Sequence, residues 1–282
     1  MNPIFGYRFA SLDSRAAVLA AMVFALLPGF MGSAAAEELK LGGTGAALGS
    51  MRLLANEFSA KHPEIRLKIV PNLGSGGGIQ AVLAGAIDLA VTSRPLNAEE
   101  RQRGAAESEY GRTPFVFAVA AKTAIVAITS QELAEIYAGT RVKWPDGSPI
   151  RIVLRSPSDI DTEMVKAISP EIRAGVTAAA ERPGVKIALT DQDAANDLER
   201  IPGAVGPVAL SLVISEKRAL RALRLDGIQP TLQNAASQTY PYSKRMFLVT
   251  GAKRTATAAD FAAFVLSPAG RKILAANGHW LP

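Results

Sequence analysis

Three stretches of the chain place glycine, hydroxyl-bearing and cationic residues where backbone amides would be free to meet an anion. Gly74-Ser75-Gly76-Gly77-Gly78 lies between an extended apolar segment, Ile65 to Pro71, and a helical pattern, Ile79 to Ala84. Gly42-Gly43-Thr44-Gly45 follows Leu39 to Leu41 and opens an amphipathic helix, and Arg155-Ser156-Pro157-Ser158 follows Ile150 to Leu154. Glycine has no Cβ, so oxygens can approach the main chain, and a helix start offers N–H groups with no partner inside the helix. A single glycine-rich turn is more often a tight connection than a cradle. Three such turns after strand-like segments point to one composite polar pocket.

Other chemistries find little support. Cysteine is absent, which removes disulfides, thiolate metal sites, a cysteine nucleophile and a lipidated N-terminal cysteine. His62 falls in a helix-to-strand turn and His279 near the end, and both read as surface residues without a triad or metal partner. Asp191, Asp193, Asp197 and Glu199 lack calcium-loop spacing and read as the start of a solvated helix. No nucleophile elbow or Walker-type loop is present, so an enzyme acting on phosphate esters is the weaker reading, and neither a catalytic cofactor nor a metal is implied.

The first 36 residues read as a secretory signal peptide. Arg8 and Arg15 precede an apolar run from Ala16 to Leu27, and Ala34-Ala35-Ala36 has the form of a cleavage site. The run is broken by Pro28 and Gly29 and falls short of the roughly 20 residues of a membrane span. The chain as a whole carries +6; removing Arg8, Arg15 and Asp13 leaves about +5. That mild excess suits a protein handling small anions. Scattered basic residues and few aromatics argue against nucleic acid. The processed chain is expected to be periplasmic, untethered and monomeric.

Strand-like and helix-like patterns alternate along residues 37–282, which predicts an α/β fold with mainly parallel strands. Met51, Leu54, Ala55 and Phe58 share a helix face, while Ile65, Leu67 and Ile69 alternate as in a strand. Phe115 to Ala120, Val185 to Leu189, Ala204 to Leu210 and Met246 to Thr250 read as further strands. Thr129-Ser130-Gln131-Glu132 is a capping box opening a helix that stops at Gly139, and residues 256–277 read as two short helices split near Pro268.

Several segments, in order along the chain, carry a family resemblance: Gly43-Thr44-Gly45 with Leu53-Leu54-Ala55-Asn56-Glu57-Phe58, the glycine run through Ile79, and Ile87-Asp88-Leu89-Ala90-Val91-Thr92-Ser93-Arg94-Pro95-Leu96. They continue with Glu132 to Gly139, Trp144-Pro145-Asp146-Gly147, Gly203-Ala204-Val205-Gly206 and Thr239-Tyr240-Pro241-Tyr242-Ser243-Lys244-Arg245. The chain resembles the phosphate-binding (PstS-like) branch of the type II periplasmic solute-binding proteins, the secreted receptors of ABC importers. The resemblance implies two α/β lobes joined by two crossing strands, with ligand in the cleft between them. One lobe would comprise residues 37–121 and 240–282, the other 122–239. Tyr240 and Tyr242 at the return crossing read as core or hinge packing.

The resemblance also implies the site. It assigns the ligand the Thr44 hydroxyl and the N–H groups around Ala47 and Leu48, then Ser75 with the N–H of Gly76, then Arg155, whose guanidinium fork matches two oxygens of a tetrahedral oxyanion. Phosphate leads, with molybdate or tungstate, phosphonates, carboxylates or a sensing role as alternatives; the implied partners are the importer's membrane subunits. Two departures stand out. Arg94 occupies the place of an aspartate usual in phosphate binders, and Asp159-Ile160-Asp161-Thr162 replaces small residues after the arginine. These changes are read as compensating, with Arg94 pairing Asp159 or Asp161 across the closed cleft.

Overall fold

Leu39 and Leu41 are buried and Lys40 between them is not, and this period of two forms the strand β1 (Glu37–Gly43). The computed structural model describes Met1, Gly6 and residues 37–281, so the expected signal peptide lies outside the described residues at all but two positions. β1 pairs in parallel with β2 (Ile65–Val70) and β3 (Leu89–Thr92). The sheet continues through β11 (Ser243–Thr250), β4 (Ala106–Ala120), β8 (Ala204–Ala209), β6 (Arg151–Arg155) and β7 (Lys186–Ala188), and β9 (Leu220–Ala222) also pairs with β4. β5 (Ala127–Ile128) and β10 (Arg224–Leu225) form a separate parallel pair. The expectation of mainly parallel strands holds at the two flanks only. At the centre β11 runs antiparallel to β3 and β4, and β4 antiparallel to β8 and β9.

β4 is the strand that joins the two flanks. It is 15 residues long; its first part, to Pro114, pairs with β11, and Phe115 to Ala120 pair with β8 and β9. The chain returns beside it: Phe115 N donates to Tyr242 O at 3.0 Å and the buried Tyr240 hydroxyl donates to Phe115 O at 2.8 Å. The two tyrosine rings meet edge to face, 5.5 Å between centroids, so packing at the crossing is their observed role.

Helices cover the sheet: α1 (Gly45–Lys61), α2 (Gly74–Leu83), α3 (Ala98–Gln102), α4 (Ser130–Ala138), α5 (Ile160–Lys166), α6 (Pro170–Ala180), α7 (Asp191–Arg200), α8 (Leu210–Ser215), α9 (Leu232–Ala236), α10 (Ala256–Leu266) and α11 (Pro268–Ala276). The Thr129–Glu132 capping box is formed on α4, and Gly139 ends that helix at φ 82°. Ser267 caps α11 directly before Pro268, which makes the expected split. The largest apolar cluster spans both flanks, joining Leu48 and Met51 of α1 to Val208 of β8, Leu198 of α7 and Leu212 of α8. Ser211 on α8 donates its hydroxyl to Ala46 O at 3.1 Å in that contact.

His279 is not a surface residue. The last residues pair back onto β4 through reciprocal Arg112 and Trp280 main-chain bonds, which carries the imidazole inward to 1% exposure. Its Nε2 lies 2.9 Å from Ser50 Oγ, and burial pushes its pKa down to about 3 from 6.5. The unfolded chain takes up that proton below pH 6.5 and the folded chain does not, so stability is lost as pH falls from 6.5 towards 3. Between pH 7 and pH 5 this one group is expected to remove about 2 kcal/mol that a His279→Gln variant keeps. Urea titrations at both pH values check it; equal losses in both proteins would mean that the ring takes up its proton as readily in the fold as in the unfolded chain.

Candidate anion-binding site

Gly43 and Gly45 show how closely the backbone is drawn together at the carboxyl end of β1. Gly43 has φ +136°, and a Cβ there would collide with Val91 O of β3; a Cβ on Gly45 would collide with Gln192 and Asp191 at the start of α7. The two flanks meet here, with Gln192 Nε2 donating to Gly45 O at 3.0 Å. Beside this contact lies a cleft of about 630 Å³. One wall is formed by Gly43–Gly45, residues 72–76, Ser93 and Arg94, the other by Arg155, Ser156, residues 158–160, Glu163 and 189–192.

The starts of α1 and α2 line this cleft, at Gly45 and at Gly74 to Gly76. The glycine run is not a loop preceding the helix, as the sequence suggested, but the first turn of α2, which begins at Gly74. Ser75 is fixed there because its Oγ accepts from Ser93 N at 3.0 Å and lies 3.2 Å from Ser93 Oγ. No acidic residue occupies the first turn of α1 or α2, although the Asp191 carboxylate of α7 stands against the start of α1 at Gly45. Thr44 and Gly76 also line the cleft. Ala47 and Leu48 do not: α1 starts two residues earlier than that assignment needs, Ala47 N already donates to Thr44 O at 3.2 Å, and both side chains are buried in the core.

Arg155, at the end of β6, is 5% exposed and lines the opposite wall. Its guanidinium donates to Ala188 O at 3.1 Å and to Asp159 Oδ2 at 2.7 Å, while Nε has no hydrogen-bond partner among the described residues. Burial opposes its charge, but Asp191, Asp159 and Asp161 outweigh it and hold the group above its ordinary pKa. Asp159 also caps α5, accepting from Asp161 N at 2.9 Å. Thr162 lies behind the site, its hydroxyl donating to Arg155 O at 3.1 Å and Ser156 O at 2.8 Å, so it shapes the loop and does not face the cleft.

The expected pairing of Arg94 with Asp159 or Asp161 does not occur. Arg94 forms a two-pronged ion pair with Glu100, at 2.9 and 2.7 Å, within its own flank. Glu100 is held in place by the Asn97 capping box on α3, and the Arg94 hydrogen bond, against burial, keeps its carboxyl below the usual range. A local acceptor six residues away wins over one across a cleft because less chain entropy is lost in meeting it.

Asp161 is committed to Lys244 of β11 instead, and both are fully buried. Lys244 Nζ also lies 3.9 Å from Asp191 Oδ1. Burial works against the Lys244 charge, but Asp161 and Asp191 overcome it and raise its pKa; burial pushes Asp161 upward against the pull of Lys244. Asp191 is likewise buried, correcting its reading as a solvated helix start: Thr44 Oγ1 approaches it at 3.5 Å and Arg155 at 3.9 Å. Lys244 and Asp191 carried no distinguishing sequence signal beyond a charged residue on an otherwise apolar strand and at a helix start. Among the described residues no group of His, Cys, Asp or Glu is placed to hold a metal, and no helix is long and apolar enough to cross a membrane.

A family model described as the PBP superfamily domain matches residues 31–269. The chain belongs to the PBP superfamily. Its fold is the two-lobed α/β fold of the type II periplasmic binding proteins. The phosphate-binding protein PstS of Bacillus subtilis is 22% identical to this PBP-superfamily chain over 258 residues, 88% of this chain and 81% of that protein. A Clostridium perfringens structure described as a phosphate ABC transporter substrate-binding protein with bound phosphate superimposes with a TM-score of 0.72 at 21% identity, covering 86% of this chain and 98% of the other. The Azotobacter vinelandii periplasmic molybdate-binding protein superimposes with a TM-score of 0.63 at 17% identity, covering 86% and 99%.

Removing one member of the Lys244–Asp161 pair leaves a buried unpaired charge. Lys244→Met is expected to cost about 3–5 kcal/mol. Combining it with Asp161→Asn should recover more than about 1 kcal/mol of that loss. Urea denaturation of the two single variants and the double variant gives the coupling; strictly additive costs would show that the pair does not act as one unit.

Proposed function

We propose that the chain is a secreted solute-binding protein that captures a phosphate-class tetrahedral oxyanion and delivers it to the membrane subunits of an ABC importer. One observation carries the reading: the starts of α1 and α2, at Gly45 and at Gly74 to Gly76, and the buried Arg155 line opposite walls of the same cleft. Helix N-termini with a planar five-donor fork suit an oxyanion better than a cation or an apolar ligand. The names of the relatives, phosphate-binding among them, agree with that chemistry. Residues 37–121 with 240–282 form one lobe and 122–239 the other, with closure about the paired crossings at Phe115 and Tyr242. The setting is periplasmic or extracellular, the working form a monomer, and the role is binding without catalysis.

Protein unfolded and refolded to remove carried ligand is expected to gain roughly 2.7 kcal/mol of stability from phosphate at about 100 times its Kd, read as a rise in Tm. Arg155→Lys keeps the charge opposite Asp159 but loses the fork, and should cut that gain to below about 1 kcal/mol at the same concentration. Sulfate, molybdate and acetate serve as comparison anions. An undiminished gain in Arg155→Lys would remove Arg155 from the site.

A further inference from the structure

We propose that the oxyanion enters as the head group of an organic molecule, an alkyl or aryl phosphonate or a phosphomonoester, whose substituent lies against Leu189, Ile160 and Leu73. The proposal rests on the tetrahedral-oxyanion reading and specifies which member of that class the cleft takes. Its first support is shape. A cleft of about 630 Å³ falls within the range of sites for whole organic ligands, whereas a bare tetrahedral ion has only five heavy atoms.

The second support is where apolar side chains stand. Leu73 is the cap residue of α2, Ile160 the first residue of α5, and Leu189 lies two residues before α7. Leu73 takes a cap position that small polar residues normally fill, and all three residues line the cleft, Ile160 and Leu189 beside the polar caps Asp159 and Thr190. Leu189 is 76% exposed. It is not on a loose loop: Ala188 before it accepts the Arg155 hydrogen bond, and Thr190 after it forms the capping box of α7. An exposed leucine is thereby fixed next to the arginine that would grip the head group.

The third support is charge. Asp159, Asp161 and Asp191 face two cations, Arg155 and Lys244, and Arg94 is matched by Glu100. The cleft holds no surplus of fixed positive charge, so long-range attraction for a small dianion is weak. Directed amide donors would orient the head, and apolar contact with a substituent would supply affinity that net charge does not.

Calorimetric titration of refolded protein with phosphate, methylphosphonate, butylphosphonate and phenylphosphonate tests this. The two larger phosphonates are expected to bind about ten-fold tighter than phosphate or methylphosphonate, the gain of burying a modest apolar area. Leu189→Ser, at an exposed position, should weaken phenylphosphonate roughly five-fold more than phosphate. Tightest binding by phosphate, with affinity falling as the substituent grows, overturns the proposal and leaves the oxyanion reading standing. Silence across all four compounds overturns both.

Discussion

The contact on which the site depends is the buried ion pair between Lys244 and Asp161. Lys244 sits on the central strand β11, directly after the returning crossing, and Asp161 lies in the first turn of α5, the helix that follows Arg155. Such a pair adds little net stability against apolar residues of the same shape, because both ions lose their hydration. What it supplies is position. It ties the return strand to the second lobe, and through Asp191, 3.9 Å from both Lys244 and Arg155, it extends to the cleft wall. Arg155 is in turn held by Asp159 and Ala188 O, so its guanidinium stands at the end of a chain of fixed charges.

That arrangement explains why Gly45 cannot be exchanged for alanine at the first turn of α1. The α7 start, which carries Asp191 and Gln192, comes up against Gly45 with no room for a Cβ. The same closeness brings the Gln192 amide to Gly45 O. The two flanks of the sheet are thus in polar contact beside the cleft as well as in apolar contact between α1 and α8. A hinge motion that opens the cleft would break the former, which are few and partly solvated, more readily than the latter.

The sequence disclosed those parts of the fold that rest on local rules. The capping box at Thr129, the stop at Gly139 and the break before Pro268 were legible because each residue's own stereochemistry decides the outcome. Arg155 and the glycine turns were legible for the same reason, as residue types placed after strands. The reach of each turn was not: Ala47 and Leu48 were assigned to the ligand although α1 begins at Gly45, and the glycine run proved helical. Pairings were the least legible. Arg94 had several carboxylates within plausible reach, and only the folded register of α3 decides for Glu100. Lys244, Asp161 and Asp191 lie far apart in the chain, and His279 was carried inward by its neighbour's pairing with Arg112.

That Arg94 is compensated within its own wall, and not across the cleft, has a consequence for selectivity. If Arg94 had paired across the cleft, closure itself would have been driven by protein charge, and any anion would have competed with that pair. With Arg94 satisfied by Glu100, that cation adds no such drive, and the protein charge that does join the two sides, Lys244 with Asp161, is buried away from the cleft. Amides from the first lobe and a guanidinium from the second can be bridged by one tetrahedral group, because its oxygens point in four directions at once. A planar carboxylate offers two oxygens on one side and would satisfy one wall at the expense of the other. The geometry of the donors therefore favours a tetrahedral head over a carboxylate even where the net charge of the cleft does not.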